Sequence, residues 1–210
     1  AISKLEEMEL LLSILDKQQL CDFIREECVN DRYLMDRFLA LGAGTIYTPK
    51  STDYQRRIKE IISDFEGRDG FVSYNRTFDL NRAISRIIDE ADAAMHNQQW
   101  EVAVSVLEAV ATTGEDIIYC GDDSAGELGD IVRQCFEKWY ELSIDDSLPP
   151  TMRSKIFELS LTHFAEGCLK GFDWWWDWVQ IAILLADTPD KQERVMNELN
   201  SIIDITAPIS

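Results

Sequence analysis

Apolar residues recur along almost the whole chain at helical rather than strand spacing. In residues 3–15, Leu5, Met8, Leu11, Leu12 and Leu15 form one stripe, with Lys4, Glu6, Glu7 and Glu9 off it. Asp16 followed by Gln19 is the capping-box signature of a helix start, and Leu20, Phe23, Ile24 and Cys28 are then expected to point inward. A third helix is expected from about Asp31, with Leu34, Met35, Phe38, Leu39 and Leu41 apolar and Gly42 and Gly44 closing it.

Thr48-Pro49-Lys50-Ser51 reads as a turn into a helix with Ile58, Ile61, Ile62 and Phe65 on one face. Gly67 and Gly70 break it, and Phe71 to Tyr74 forms an extended connector whose aromatic rings are expected to plug the end of a helix pair. Asp79 is the expected cap of a long helix carrying Ile84, Ile87, Ile88, Ala91, Ala94 and Met95. The next stripe runs Trp100, Ala103, Val104, Leu107 and Val110 and ends at Gly114. After an acidic connection come Ile131, Val132, Cys135, Phe136 and Trp139. Pro149-Pro150 starts a helix with Ile156, Leu159, Phe164 and Leu169. Residues 173–186 are apolar almost all round, and Asp187-Thr188-Pro189 opens a last helix with Val195, Leu199, Ile202 and Ile203.

No strand pattern competes. Nine or ten helices with short connections predict an all-α fold of antiparallel helical pairs, either an α–α superhelix or an irregular helical bundle. In the pair at 81–113, small residues (Ala91, Ala94) face an aromatic that opens the second helix (Trp100), as in a tetratricopeptide (TPR) unit. No period of about 34 residues runs through the chain, so the expectation is repeat-like rather than a regular array. Residues 1–210 are read as one helical domain, and the start at Ala1 leaves room for a longer parent chain.

Charge and cysteines narrow the function classes. The net charge is −19, and residues 87–145 hold fourteen acidic residues against Arg133 and Lys138. Phosphate backbones are repelled by such a region, which argues against direct nucleic-acid binding there. Residues 50–86 are the one basic segment, and Arg56, Arg57, Lys59, Arg68, Arg76, Arg82 and Arg86 are what a nucleic-acid-associated module would use. Five scattered cysteines, no opening signal peptide and no apolar run of membrane-spanning length point to a cytoplasmic protein with reduced thiols.

Catalytic signatures are thin. GDDSAGELGD (121–130) fails the EF-hand pattern, because counting back from Gly126 puts Gly121 and Ala125 at ligand positions. It reads instead as a helix start with Ser124 as N-cap, Glu127 completing a capping box and Asp122 and Asp123 at the positive end of the helix dipole. His96 and His163 are the only histidines and are expected to be partly buried structural residues. No metal site, cofactor loop or nucleophile elbow is legible, and a hydrolase or transferase would need a site assembled by the fold.

Two surfaces remain as candidate partner sites. Trp174, Trp175, Trp176 and Trp178 cover roughly three-quarters of a helix circumference at 100° per residue. Their helix is either buried all round as the central element of the stack, or leaves one or two tryptophans exposed as binding anchors. The second is an acidic face of Glu101, Glu108, Glu115, Asp116, Asp122 and Asp123, which could equally be a solvated surface.

Several landmarks together resemble the helical region that accompanies SWIM zinc fingers in a family of bacterial proteins. They are the Leu34, Phe38, Leu39 helix, Tyr54 with Arg57 and Ile58, Gly70-Phe71-Val72-x-Tyr74, Ala91, Asp123-Ser124-x-Gly126-Glu127-Leu128-Gly129-Asp130 and the late Trp-rich helix. The resemblance covers most of the chain and implies a non-enzymatic part that mediates protein contacts. The finger's Cys-x-Cys and Cys-x-His set has no counterpart here, so neither zinc nor DNA binding carries over to these residues. The expectation is a helical scaffold that binds a protein partner or another domain of its own chain, with no cofactor.

Overall fold

The computed structural model describes residues 3–41 and 48–206, and the chain divides into two compact units, Ala1–Gly42 and Ala43–Ser210. That division stands beside the reading of 1–210 as one domain. Among the described residues there are eleven helices and no strand, so the fold is all-α as the periodicity implies.

The first unit holds α1 (Lys4–Ile14), α2 (Lys17–Asn30) and α3 (Arg32–Leu41). Asp16 caps α2 as expected: its carboxylate accepts from Gln19 N at 2.8 Å, and Gln19 Oε1 accepts from Asp16 N at 3.0 Å. A second box that the pattern also permits joins Ser3 and Glu6 at the start of α1. The expected inward stripe of α2 is realised at Leu20 and Ile24, both half-buried, and at buried Cys28, whereas Phe23 is exposed. Gly42 and Gly44, the expected stop of α3, lie outside the described residues.

The second unit runs through α4 (Ser51–Phe65), α5 (Tyr74–His96), α6 (Trp100–Thr112), α7 (Gly114–Tyr119), α8 (Glu127–Ile144), α9 (Pro150–Glu166), α10 (Trp174–Leu184) and α11 (Pro189–Thr206). The acidic connection, where periodicity predicts no helix, holds the six-residue α7.

Its centre is α6. Trp100, Val102, Ala103, Val104, Val106, Leu107, Ala109, Val110 and Ala111 are all buried, on every side of the helix. Alanines and valines let neighbouring axes approach closely, so α4, α5, α7, α8 and α9 can all pack against this one helix. The pair α5–α6 is joined through Asn97–Gln99 and packs together, with Ala91, Ala94, Ala103 and Leu107 all buried. Residues 173–186, expected at the centre if buried all round, lie instead on the outer side of α8 and α9. Four indoles in five positions are too bulky to be covered on all sides by helices at ordinary spacing.

Three details differ from expectation. Asp79 does not cap α5: the helix begins earlier, at Tyr74 after Ser73, and Asp79 sits exposed within it. Phe71 and Tyr74 do not plug a helix pair, because both are exposed; the buried plug is Val72. Its backbone pairs with the α7–α8 connection, Val72 N donating to Cys120 O at 2.8 Å and Asp122 N donating to Val72 O at 3.1 Å. Gly121 permits that approach, since a Cβ there would sit 2.7 Å from Val72 O and 2.9 Å from Val72 Cβ. Leu169, placed in the stripe of α9, lies beyond its end at Glu166 and is buried from the following turn, against the backbone of Gly114.

One ion pair is sunk into the helix packing. Arg57 on α4 donates to both carboxylate oxygens of Glu90 on α5, at 3.0 and 2.7 Å, with side chains 21% and 6% exposed. The guanidinium also lies 5.3 Å from the centre of the buried Tyr54 ring. At the far end, Arg194 of α11 makes a bidentate pair with Glu158 of α9, at 2.6 and 2.7 Å. Those hydrogen bonds hold the Glu158 carboxyl below its usual range.

Candidate functional site

The tryptophans split by role once the fold is in place. Trp178 is fully buried, edge-on to Phe136 (5.0 Å between centroids) and to Trp139 (5.8 Å), with the His163 ring 4.8 Å away. Trp175 stacks on Phe164 at 4.8 Å and 18°, donates its indole N–H to Phe164 O at 2.9 Å, and has the Lys170 ammonium 5.3 Å from its ring centre. Trp174 tilts against Phe172 at 5.8 Å, its ring tip reaching to 3.3 Å from where a Gly129 Cβ would stand. Only Trp176 is exposed, at 43%, and it is braced by Trp175 (4.9 Å) and Phe164 (5.9 Å).

Burial therefore claims one side of α10 and leaves another apolar. Trp178, Val179, Ile181 and Ala182 face the core, whereas Trp176, Ile183 and Leu184 are exposed. At 100° per residue, Trp176, Gln180, Ile183 and Leu184 share an arc of about 100°. Ile183 and Leu184 belong to this surface and were missed in the sequence. Their spacing from Trp176 (i+7, i+8) was a legible signal, masked by the continuous apolar run around them.

The acidic residues do not form one face. Glu101 pairs with Lys155, Glu108 with His163 at 3.3 Å, and Asp116 with Lys59 at 3.2 Å. Asp122 accepts from Ser124 N at 3.1 Å and from its hydroxyl, and these two bonds lower its carboxyl below the usual range. Asp123 is the true cap of α8. Its two oxygens accept from Leu128 N at 2.7 Å and Gly129 N at 3.0 Å, while Gly126, at φ 79°, stands where Ser124 was expected as N-cap. Only a residue free of Cβ crowding takes that left-handed turn readily. Asp123→Ala is expected to cost about 1–2 kcal/mol, whereas Ser124→Ala should stay within about 0.5 kcal/mol. The midpoints of urea unfolding separate the two caps. Of the predicted site residues, the fold thus brings Trp174 and Asp123 together across Gly129 and leaves Glu101 and Glu108 on α6, facing α9.

The one histidine–carboxylate arrangement in the core side of the unit is His163 with Glu108. The imidazole is 12% exposed, with Nε2 3.3 Å from Glu108 and Nδ1 3.9 Å from Glu166. His96, expected to be partly buried, is exposed instead, its Nδ1 2.8 Å from Asp92 O. Burial raises the Cys168 thiol to about 11 and likewise the Cys120 thiol to about 11, and pushes Cys135 up further, so all three stay protonated at neutral pH. A protonated thiol is a poor nucleophile and a poor metal ligand. Among the described residues no group of three or more His, Cys, Asp or Glu side chains could hold a metal ion.

The basic segment is also largely engaged. Arg57 holds Glu90, Lys59 pairs with Asp116 and Arg56 with Asp53. Arg76 donates to Phe65 O at 2.6 Å and Asp64 O at 3.2 Å, closing the end of α4, and Arg82 lies over Phe78 at 5.5 Å. No described helix is long and apolar enough to cross a membrane. Comparison of the chain with family models, curated proteins and solved structures finds no match.

Proposed function

We propose that this chain is a non-enzymatic helical scaffold, repeat-like and TPR-like in its α5–α6 pair, that binds another protein or another domain of its own chain. The observation that carries this reading is the second apolar side of α10, where Trp176, Ile183 and Leu184 stand exposed on a helix whose other side is locked in the core. A tryptophan braced by Trp175 and Phe164 presents a large contact area with little rotamer entropy left to lose. Such residues are the usual anchors of protein interfaces. The resemblance to the helical region beside SWIM zinc fingers leads to the same reading, with cytoplasmic residence in accord with five free thiols.

The test pairs binding with folding. Trp176→Ser and Ile183→Ser are each expected to unfold within about 3 °C of wild type, since neither position is buried. Each should weaken recovery of any partner crosslinked through a photo-reactive residue at Gln180 by roughly tenfold or more, as hot-spot truncations do. Folded variants that keep the full set of crosslinked partners would overturn the reading.

A further inference from the structure

The connection between α9 and α10, residues 167–173, holds a strained residue in the core. Leu169 is fully buried and its backbone is left-handed, at φ 64°. The one other non-glycine with a positive φ among the described residues is the exposed Gln98. Leu169 stands between two left-handed glycines, Gly167 at φ 78° and Gly171 at φ 113°. Glycine takes such a turn without crowding, whereas for a leucine it weighs against the docked form by roughly tenfold. What opposes the strain is the seat. A Cβ on Gly114 would lie 2.9 Å from Leu169 Cδ2 and 3.3 Å from Val132 Cγ2, so Leu169 fills the room that this glycine leaves beside α8. Burial of one leucine favours the docked form by roughly tenfold to a hundredfold. Strain and seat are therefore of the same order.

Among the described residues, the backbone hydrogen bonds of 167–173 all stay within 163–176, Cys168 N donating to His163 O at 2.9 Å and Phe172 N to Leu169 O at 3.0 Å. Its ties to α6 and α7 run through side chains. Besides Leu169 these are Cys168 Sγ, donating to Ala111 O at 3.8 Å, and Phe172, tilted on Tyr119 at 5.8 Å. The segment can thus lift away without breaking a backbone hydrogen bond to either helix. It also carries the first turn of α10. Trp175 N donates to Phe172 O at 3.2 Å and Trp176 N to Asp173 O at 3.0 Å, while the Lys170 ammonium lies over the Trp175 ring. Trp175 in turn braces Trp176. We infer that residues 167–173 are a strap latched by Leu169, whose docking over Gly114 sets Trp176 for its partner and whose release withdraws that brace. The inference rests on α10 being a partner surface and adds the regulation of that surface. A partner anchored on Trp176 favours the latched form, and a contact that pulls Leu169 from its seat weakens the partner by the same factor.

Two readouts on the whole chain need no partner. Iodoacetamide alkylation of Cys168, followed by peptide mass mapping, reports opening, because burial raises that thiol to about 11 and opening returns it to the ordinary range. Cys135, fully buried on α8, reports global unfolding in the same digest. Leu169→Ala removes the plug and keeps the strain. It should speed Cys168 alkylation roughly tenfold or more, with Cys135 still protected. Leu169→Gly removes both, and should be alkylated roughly fivefold more slowly than Leu169→Ala because glycine accepts the left-handed turn. Amide exchange followed by NMR should show Trp175 and Trp176 opening with the strap in Leu169→Ala, while Ile181 farther along α10 keeps its protection. Crosslinking of partners from Gln180 should fall roughly tenfold in the same variant. Equal alkylation of the three forms would overturn the latch, and Cys135 alkylated along with Cys168 would make Leu169 plain core. Unaltered exchange at Trp175 and Trp176 would cut the strap's link to α10. Crosslinks lost in Trp176→Ser but kept in Leu169→Ala would overturn the regulation and leave the α10 surface standing. Crosslinks kept in both would remove the surface, and its regulation with it.

Discussion

Trp178→Ala is expected to be the most damaging single truncation in α10, costing about 3–5 kcal/mol. The indole is fully buried and wedged among Phe136, Trp139 and His163, so its removal opens a cavity where α8, α9 and α10 converge. For a chain of this size that loss lowers the thermal midpoint by about 8–15 °C. Trp176→Ala, two residues earlier, should cost about 1 kcal/mol or less, because the ring is 43% exposed and braces rather than fills. Scanning calorimetry of the two variants side by side measures the difference. Equal destabilisation would show that α10 has no free side, and the proposed partner surface on it would go with that result.

Glu90→Ala should be nearly as costly, at about 3–5 kcal/mol. Glu90 is almost fully buried and accepts two hydrogen bonds from Arg57, so truncation leaves a guanidinium between α4 and α5 without its carboxylate. Removing both charges is a different matter. Arg57→Met with Glu90→Leu keeps the volume and should recover most of the loss, since the desolvation cost of two buried charges offsets much of their attraction. Urea unfolding of the two single variants and the double variant closes a cycle whose coupling is expected at roughly 2–3 kcal/mol. A coupling near zero would mean that the pair is screened by solvent and that other contacts hold α4 to α5.

Local signals in the sequence agree with the fold where near neighbours alone decide the outcome. Asp16 with Gln19, Pro149-Pro150 and Thr188-Pro189 mark helix starts because a cap or a proline acts on its own backbone neighbours. Capping departs from the expectation where loop geometry chooses among several candidates. GDDSAGELGD offers three side chains able to cap, and only the left-handed turn at Gly126 decides that Asp123, five and six residues before its donors, does so. The acidic face met the same limit. Glu101, Glu108 and Asp116 are one charge pattern in sequence, yet Lys155, His163 and Lys59, the groups that divide them, come from α9 and α4.

Helical spacing, caps and prolines act locally, and they are enough to make the chain helical, to place most of its helix starts and to show more apolar stripe than a single pair can cover. Which stripes are covered depends on contacts between helices far apart in the chain. Periodicity reports the apolar side of one helix, while burial depends on how closely its neighbours can approach. The small side chains of α6 admit helices on every side, so it became the centre although the tryptophan run looked the more central. The indoles of α10 hold their neighbours to one side, which sent Trp178 into the core and left Trp176, Ile183 and Leu184 exposed. Among the described residues α1 buries no side chain, although its stripe reads as core in the sequence.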